Sequence, residues 1–371
     1  MRFERVGLVA IGGELPDEVW SSESIERRLQ PLYHRLRLPE GRLELMTGIR
    51  ERRVWPAGTL PSGPSVRTGR LALEASGVDP ARVGCLIHAS VCRDFLEPAT
   101  ASRVHHELGL PAACWVYDLS NACLGLLNGA VQVAMMIESG AIGAGLVVGT
   151  ESSRPLLEET IAALNRDETL TRKSVKSAVA SLTIGSGSCA WLLADRRLCP
   201  DATPLHVATA LARTEFHDLC RSDQDAGAGM QPLMDTDSER LMAEGIETGR
   251  QAFEGLLAET GWRRADIDRT ACHQVGSRHR QAMLGRLGLP PEGDSLTFDR
   301  LGNTGSVALP LTLAAAASRD EVCPGHRLAL LGIGSGINSV MAAATWQTTA
   351  VAGDLSPLNE PAFAQPSGPA A

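Results

Sequence analysis

Residues 101–111 read ASRVHHELGLP, and residues 280–290 read RQAMLGRLGLP. Each stretch has the length of a short helix and ends in the same four residues, LGLP. The segments before them, residues 79–90 (DPARVGCLIHAS) and 263–275 (RRADIDRTACHQV), each contain a short apolar strand pattern. Repetition of this kind decides the architecture before any single motif does.

The repeat continues downstream of both copies. Cys123 follows the first LGLP by 12 residues, and Asn303 follows the second by 13. Each copy closes with a Gly-Ser-Gly run before an apolar strand, at residues 184–194 and 333–343. Short apolar runs bounded by glycine are typical of strands buried on both faces. We therefore predict an α/β fold of two βα halves around a pseudo-two-fold axis, with helices on both sides of the sheets.

A length of 371 residues fits two such units. We expect one half over residues 1–199 and the other over residues 200–346. Residues 347–371, rich in Ala, Pro, Ser and Gly, are predicted to form a disordered tail. Two polar insertions, residues 154–181 and 214–250, are predicted to be helical excursions that serve as lids or substrate walls.

Composition excludes several classes of function. A formal charge of −8 disfavours sequence-independent nucleic-acid binding. The N-terminal residues lack the layout of a signal peptide, and the longest uncharged run, residues 119–137, contains Ser, Asn and Gln, which favours a buried helix over a membrane span. Nine cysteines without a CxxC pair or zinc spacing indicate reduced thiols in a cytoplasmic protein and no metal site. The run GIGSGI is not a dinucleotide fingerprint, and no cofactor is predicted. The basic run Arg50, Arg52 and Arg53 is typical of a solvated surface.

Cys123 stands between a predicted strand and turn, VYDLSNA, and a predicted helix that ends at Gly140. A thiol at a helix N-terminus is expected to have a lowered pKa and to be a good nucleophile. This stretch alone is equally consistent with a cysteine that fills space, and His273 alone fits a core or loop histidine. The duplication favours a site, because two helix starts related by a two-fold axis would bring together the Cys123 thiol, the His273 imidazole and the Asn303 amide.

Five stretches together resemble the thiolase-fold condensing enzymes of the ketoacyl synthase III branch, over about residues 1–346. They are TGIRERRVW (47–55), SNACLG (120–125), CHQV (272–275), GNTGSVALP (302–310) and GIGSGIN (332–338). Three further stretches are similar to the OleA-type enzymes of long-chain olefin biosynthesis, which join acyl chains head to head. They are ERRLQPLYHRL (26–36), SVCRDFLEPATAS (90–102) and LLGIGSGINSVMAAATW (330–346).

The resemblance implies a layered αβαβα thiolase fold and a non-decarboxylative Claisen condensation of two fatty acyl-CoA thioesters. Cys123 would carry the first acyl group, with the N–H groups of Cys123 and Gly336 as the oxyanion hole. His273 and Asn303 would donate hydrogen bonds to the enolate of the second thioester. Glu97, contributed across a homodimer interface, would remove its α-proton. The product would be a 2-alkyl-3-keto acid or its thioester, feeding an olefin, ketone or β-lactone pathway.

Alternatives remain within the same resemblance. The enzyme could be a decarboxylating ketoacyl synthase III that uses a malonyl donor, or an acyltransferase of the same fold. It could also be one subunit of a heterodimer, and the acyl carrier could be acyl carrier protein instead of coenzyme A. Many ketoacyl synthases III carry an arginine directly before the TGIRER stretch, where this chain has Met46. We therefore assign no coenzyme contacts to individual residues.

Overall fold

The computed structural model describes residues 1–225 and 229–359, and its central feature is a mixed sheet of ten strands. The strands are β1 Val6–Glu14, β2 Glu18–Ser21, β3 Glu51–Val54, β4 Val83–Ala89, β5 Trp115–Leu119, β6 Ala144–Glu151, β7 Gly187–Asp195, β8 Thr203–Ala212, β9 Cys220–Asp225, β10 Gly229–Thr236, β11 Arg269–Cys272, β12 Arg327–Gly334, β13 Asn338–Thr345 and β14 Ala350–Ala352. The α-helices are α1 Ser22–Arg28, α2 Gln30–Leu36, α3 Arg42–Thr47, α4 Ser62–Ser76, α5 Thr100–Leu108, α6 Gly125–Glu138, α7 Arg154–Arg166, α8 Ser238–Thr260, α9 Ser277–Leu287, α10 Phe298–Leu301 and α11 Ala308–Ser318.

The strand order repeats in the two halves of the molecule. It is β5-β4-β6-β7-β1 in the first half and β11-β12-β13-β8 in the second, and β1 and β8 join the halves by antiparallel pairing. In each half the strand order begins with parallel pairing and ends with two antiparallel pairs. The antiparallel pairs are β6–β7 and β7–β1 in the first half and β12–β13 and β13–β8 in the second. The counterpart of β5 in the second half is reduced to a single bridge between Thr270 and Asp294. The predicted pair of related halves is confirmed, and the proposed boundary at residues 199 and 200 falls between β7 and β8.

The two halves stack as five layers. Strand β7 shows how both faces of the sheet are buried, because Trp191 and Leu193 face the centre whereas Ala190 and Leu192 face the outer helices. Helices α4 and α5 cover the outside of the first half, α8 and α9 cover the outside of the second, and α6 and α11 lie between the halves. Helix α11, ALPLTLAAAAS, is apolar on all sides, because strands of the two halves cover it from opposite sides. Its alanines let the two halves approach closely.

A smaller lobe, built from β2, β3, α1–α3 and α7, packs around its own apolar cluster. Arg52 of β3 lies inside the molecule, which corrects the prediction of a solvated basic run. It is fully buried, and its guanidinium donates to Trp20 O at 3.3 Å and Ser22 Oγ at 3.2 Å. Burial lowers the pKa of Arg52 to about 9.

The predicted insertions differ from each other in structure. The first is helical, with α7 followed by a short 3-10 helix at Ser174–Ala178. The second begins with a short 3-10 helix at Thr214–Phe216 and continues as the antiparallel pair of β9 and β10, so its α-helical part starts only at α8. Gly229 and Pro232 within that segment disfavour a helix. The prediction of a wholly helical second insertion is therefore wrong.

The first part of the predicted tail, residues 347–371, is structured. Strand β14 pairs in parallel with β1, and Leu355 and Leu358 are buried against the core. Apolar side chains of this Ala-Pro-rich segment therefore pack against the core beside β1. Residues 360–371 lie outside the described part of the chain. Within the described ranges, none of the helices combines the length and apolarity needed to cross a membrane.

Candidate active site

The Cys123 turn, residues 120–124, links the end of β5 to the start of α6. Ala122 has a left-handed backbone with φ 44°, and Gly125 N–H donates back to Ala122 O at 3.3 Å. A Cβ at Gly125 would lie 3.1 Å from Ala89 O and 3.2 Å from Ser306 Cβ. A glycine is needed there because the helix start presses against both β4 and the loop that carries Asn303. The predicted placement of Cys123 at a helix start is observed.

The turn between β12 and β13, residues 335–337, lies against the Cys123 turn. A Cβ at Gly334 would be 3.4 Å from the Cys123 backbone nitrogen. Asn338 Nδ2 donates to Asn121 Oδ1 at 3.2 Å, which fastens the two turns together. Gly336, predicted as the second oxyanion donor, sits in this turn with φ 133°, and a Cβ there would come within 2.6 Å of the Asn338 amide. The close approach to Cys123 is made by Gly334, so the role of Gly336 stays a prediction.

Asn303 lies in the Asn303 loop, residues 302–306, which leads into α11. Its backbone is fixed by two hydrogen bonds, from Asn303 N–H to Thr183 O and from Gly185 N–H to Asn303 O, both at 2.9 Å. Its side-chain Oδ1 accepts the Gly305 N–H at 3.0 Å. This bond orients the amide so that Nδ2, the donor, is left for a ligand.

His273 directly follows β11, and its N–H donates to Leu331 O of β12 at 3.1 Å. The next residue, Gln274, accepts the N–H groups of Thr297 and Phe298 through Oε1 and so ties this strand end to the segment that leads to Asn303. Burial, followed by the nearby His279, lowers the pKa of His273 to about 3. The imidazole is therefore neutral at neutral pH and can donate or accept a hydrogen bond without carrying charge.

Glu97 lies in the Glu97 loop, residues 90–99, and is exposed. Both ends of the loop are anchored. Val91 N–H donates to Glu151 Oε1 at 3.1 Å, and Asp94 N–H donates to Thr100 Oγ1 at 3.0 Å. The tip is apolar and open to solvent, with Phe95 at 56% and Leu96 at 77% exposure. Within one chain, the structure shows no contact between Glu97 and the other predicted site residues.

The electrostatics of Cys123 differ from the sequence-based expectation. Burial raises the pKa of the Cys123 thiol to about 12, with further contributions from the Glu151 carboxylate and the Cys220 thiol. The helix N-terminus carries only about half a positive charge. Desolvation and a neighbouring carboxylate outweigh it, so the predicted lowering of the pKa is wrong for the free protein.

Glu151 and Cys220 are site residues that sequence reasoning missed. Glu151 ends β6, is buried, and accepts hydrogen bonds from the Asn303 loop. No sequence motif contains Glu151. An acidic residue directly after the apolar strand pattern GLVVGT could nevertheless have indicated a buried carboxylate. Cys220 begins β9, inside the insertion predicted to form a substrate wall. Across residues 1–225 and 229–359, no group of three His, Cys, Asp or Glu side chains could hold a metal ion.

A duplicated five-layer fold with a cysteine at a helix start and a facing asparagine loop defines a thiolase-fold condensing enzyme. Residues 257–346 match the C-terminal family of 3-oxoacyl-[acyl-carrier-protein] synthase III. The chain is 38% identical to an acyl-CoA:acyl-CoA alkyltransferase of Shewanella oneidensis, with 93% of this chain and 100% of that protein covered. A relative with the same description from Xanthomonas campestris is 33% identical, with 93% and 100% covered.

A solved structure of Xanthomonas campestris OleA in which a cysteine is replaced by alanine superposes with a TM-score of 0.88 at 32% identity, covering 93% of this chain and 98% of that one. Other structures of this OleA carry substitutions of a histidine or a glutamate, and one shows a cysteine-to-serine variant with bound lauric acid and lauroyl-CoA. The chain belongs to the OleA family of acyl-CoA:acyl-CoA alkyltransferases.

Proposed function

We propose that this protein joins two fatty acyl-CoA thioesters head to head, without decarboxylation, through an acyl group carried on Cys123. The product is a 2-alkyl-3-keto acid or its thioester, a precursor for an olefin, ketone or β-lactone. The observation that carries the proposal is the end-to-end match to two acyl-CoA:acyl-CoA alkyltransferases at 38% and 33% identity. Relatives described as β-ketoacyl-[acyl-carrier-protein] synthase III are more distant, such as one from Symbiobacterium thermophilum at 26%.

In the first half-reaction, the Cys123 sulfur attacks the carbonyl carbon of one acyl-CoA. A new C–S bond forms, the bond to the coenzyme sulfur breaks, and coenzyme A leaves as the thiol with the proton of Cys123. The tetrahedral intermediate carries an oxyanion that needs fixed N–H donors. The close packing of Gly334 on the Cys123 nitrogen supports an oxyanion hole made by Cys123 N–H and the β12–β13 turn, with Gly336 as the proposed second donor.

In the second half-reaction, the α-carbon of another acyl-CoA loses a proton and attacks the acyl carbonyl on Cys123. A C–C bond forms, and the bond between the acyl carbon and the Cys123 sulfur breaks. The sulfur takes up a proton, which balances the one lost from the α-carbon and regenerates the thiol. The enolate oxygen is stabilised by Asn303 Nδ2, which its bond to Gly305 leaves available, and by the neutral His273. Neither donor places an uncompensated charge in the site. Hydrolysis of the product thioester would give the keto acid.

Glu97 is the proposed base for that α-proton. In Xanthomonas campestris OleA, the cysteine and the glutamate replaced in the solved variants are 26 residues apart, which is also the separation of Glu97 and Cys123. Because Glu97 is exposed on an anchored loop, we propose that it enters the active site of the partner in a homodimer.

Two features support dimerisation through this face. Strand β5 lies at the edge of the sheet, and an unpaired edge is a natural place for a second chain. Trp115 of β5 is 65% exposed, and the tip of the Glu97 loop adds Phe95 and Leu96. Exposed apolar groups of this size are typical of an interface. The alternative of a heterodimer with a homologous chain would use the same face.

We place the protein in the cytoplasm, since all nine cysteines are free thiols and acyl-CoA is a cytoplasmic substrate. The division into halves at residues 199 and 200 is also a proposal. So is the choice of coenzyme A over acyl carrier protein as the acyl carrier.

The decisive experiment supplies purified protein with lauroyl-CoA and no malonyl donor. We expect free coenzyme A and a keto product that contains both acyl chains, measured by thiol release and mass spectrometry. Cys123→Ala is the matched control and should release none. Product that forms only with malonyl-CoA or malonyl-acyl carrier protein would make the protein a decarboxylating synthase. A protein that gains an acyl adduct on Cys123 only beside a homologous chain would be a heterodimer subunit.

A further inference from the structure

Glu151 is a buried carboxylate at the carboxyl end of β6 that the proposed mechanism does not use. Its Oε1 atom accepts three hydrogen bonds. Ser306 donates through Oγ at 2.5 Å and through its N–H at 3.2 Å, and Val91 donates through its N–H at 3.1 Å. One carboxylate oxygen thus holds the Asn303 loop and the first residues of the Glu97 loop at the same point.

The Asn303 loop is shaped around this carboxylate. Gly305 has a left-handed φ of 53°, and a Cβ there would lie 3.1 Å from Glu151 Cδ. The Gly305 N–H is the donor that fixes the Asn303 amide. Displacement of Glu151 would therefore move the bond that decides which way Asn303 points.

The carboxylate also lies close to the turn that carries Cys123. Ser306, which donates to Glu151 Oε1, packs against the start of α6, where a Cβ at Gly125 would be 3.2 Å from Ser306 Cβ. The hydrogen bonds from Ser306 and Val91 stabilise the negative charge of the Glu151 carboxylate. The groups that raise the pKa of Cys123 beyond the effect of burial are Glu151 and Cys220. A negative charge beside a sulfur disfavours the thiolate relative to a neutral acyl thioester.

We propose that Glu151 is a positioning residue, which ties the Asn303 loop to the Glu97 loop through Oε1 and keeps a negative charge beside Cys123. Three donors already occupy its Oε1 atom, and Glu97 stays the proposed base. The inference rests on the proposed function only where it concerns the enolate. Its effect on the thiol holds for any chemistry at Cys123.

Two substitutions separate the two effects. Glu151→Gln removes the charge but keeps an acceptor oxygen, whereas Glu151→Asp keeps the charge and shortens the reach by one methylene. Glu26→Gln is the matched control. Glu26 is also a buried glutamate, and it accepts hydrogen bonds from Tyr33 Oη, Gly41 N–H and Leu43 N–H in the smaller lobe.

The first measurement is the pH dependence of iodoacetamide alkylation at Cys123, followed by peptide mass spectrometry so that the other cysteines do not interfere. In Glu151→Gln we expect the midpoint to move to lower pH by about one unit or more. Glu26→Gln and Glu151→Asp should follow the wild type. A Glu151→Gln profile that coincides with the wild type would overturn the electrostatic part of the inference.

The second measurement is condensation of lauroyl-CoA. In Glu151→Asp we expect kcat to fall by about tenfold to a hundredfold with little change in KM, because the Asn303 amide is displaced. An unchanged kcat would overturn the positioning part, and this variant decides that part even if Glu151→Gln does not fold. Alkylation needs no acyl substrate. A wild type that fails to condense lauroyl-CoA, with the alkylation shift present, would therefore refute the proposed function and leave the charge effect of Glu151 intact.

Discussion

Cys123 and His273 are both held in their neutral forms before substrate binds. Burial raises the pKa of Cys123 to about 12 and lowers the pKa of His273 to about 3. A thiolate–imidazolium pair would place two desolvated charges in the site, and its mutual attraction would have to exceed both desolvation costs. In the proposed acylation of Cys123, the thiol proton therefore leaves as the C–S bond forms, when the developing charge moves onto an oxyanion that backbone N–H groups stabilise.

Asn303→Asp tests the donor role of Asn303. The substitution keeps the oxygen that accepts the Gly305 N–H but replaces the donor Nδ2 with a second oxygen. Loss of one such donor costs about 2.7–4 kcal/mol of transition-state stabilisation, or about a hundredfold to a thousandfold in kcat. Condensation of lauroyl-CoA should fall by that factor, whereas single-turnover acylation of Cys123, followed by mass spectrometry, should change far less.

Asn165→Asp is the control for a generic amide-to-acid change, since Asn165 binds Arg28 O in the smaller lobe. Equal losses of acylation and condensation in Asn303→Asp would contradict a role confined to the enolate.

The residues of the site were predictable from sequence to different degrees. Cys123, His273 and Asn303 each occupy the equivalent end of a repeated unit, so the duplication places them where loops converge. Glu151 and Cys220 could not be found in this way, because their roles depend on which loops fold over them. The direction of the Cys123 pKa shift could not be predicted from the sequence either. A sequence pattern indicates where a helix starts, but it does not show how deeply the thiol is buried.

At the scale of elements, the Glu97 loop is anchored where it leaves the core, and its tip is exposed. Asp94 joins the loop to neighbouring helices by accepting Ser62 N–H at 2.9 Å, and Ser90 Oγ donates to Thr150 O at 2.7 Å. The exposed tip lies beyond these anchors, between Asp94 and Thr100, which are joined by the bond from Asp94 N–H to Thr100 Oγ1. A loop with this construction can present Phe95, Leu96 and Glu97 to a partner at a small cost in ordering entropy.

Leu96→Asp should weaken the proposed dimer. The side chain is 77% exposed in one chain, and a carboxylate buried in an apolar interface would lose its hydration without gaining a partner. Sedimentation velocity should show a shift toward monomer at concentrations where the wild type is dimeric. Leu198→Asp, at another exposed leucine on the connection after β7, should leave the sedimentation profile unchanged. A dimer of wild-type strength in Leu96→Asp would exclude this tip from the interface.

Elements were predicted best where the repeat and the hydrophobic period agreed. Helix α6 and strands β6 and β12 lie where glycine-bounded apolar runs indicate them. The hairpin of β9 and β10 was not predicted, because its segment is polar and lacks the alternating apolar pattern of a strand with one buried face. Strand β14 was missed because three residues beside β1 are too short to leave a pattern. Both depend on tertiary partners instead of local sequence.

At the scale of the whole molecule, buried histidines should make the protein sensitive to mild acid. Burial lowers the pKa of the histidines at positions 88, 206, 273 and 279 below the ordinary value of 6.5. Below about pH 6.5 these histidines become protonated in the unfolded chain but stay neutral in the folded chain. The free energy of unfolding therefore decreases as pH falls. Each strongly shifted histidine contributes up to about 1.4 kcal/mol per pH unit.

The midpoint of urea unfolding should therefore decrease steadily between about pH 7 and pH 5, a window above the ordinary pKa of carboxylates. His34→Gln, at an exposed histidine, should not alter this slope. A midpoint that stays constant over the window would show that these imidazoles are hydrated in solution.

The arrangement of active sites in the dimer can be tested by mixing two inactive chains. Cys123→Ala lacks the nucleophile, and Glu97→Gln lacks the proposed base. If Glu97 serves the partner's site, a heterodimer of the two variants contains one complete site, with Cys123 from one chain and Glu97 from the other. If Glu97 serves its own chain, both sites of the heterodimer are defective. In a homodimer with two-fold symmetry, the purified heterodimer should then have about half of the activity of the wild-type dimer in the first case and none in the second. Co-expression with two affinity tags isolates the heterodimer, and condensation of lauroyl-CoA measures it. An inactive, correctly assembled heterodimer would mean that the carboxylate acts within its own subunit or not at all.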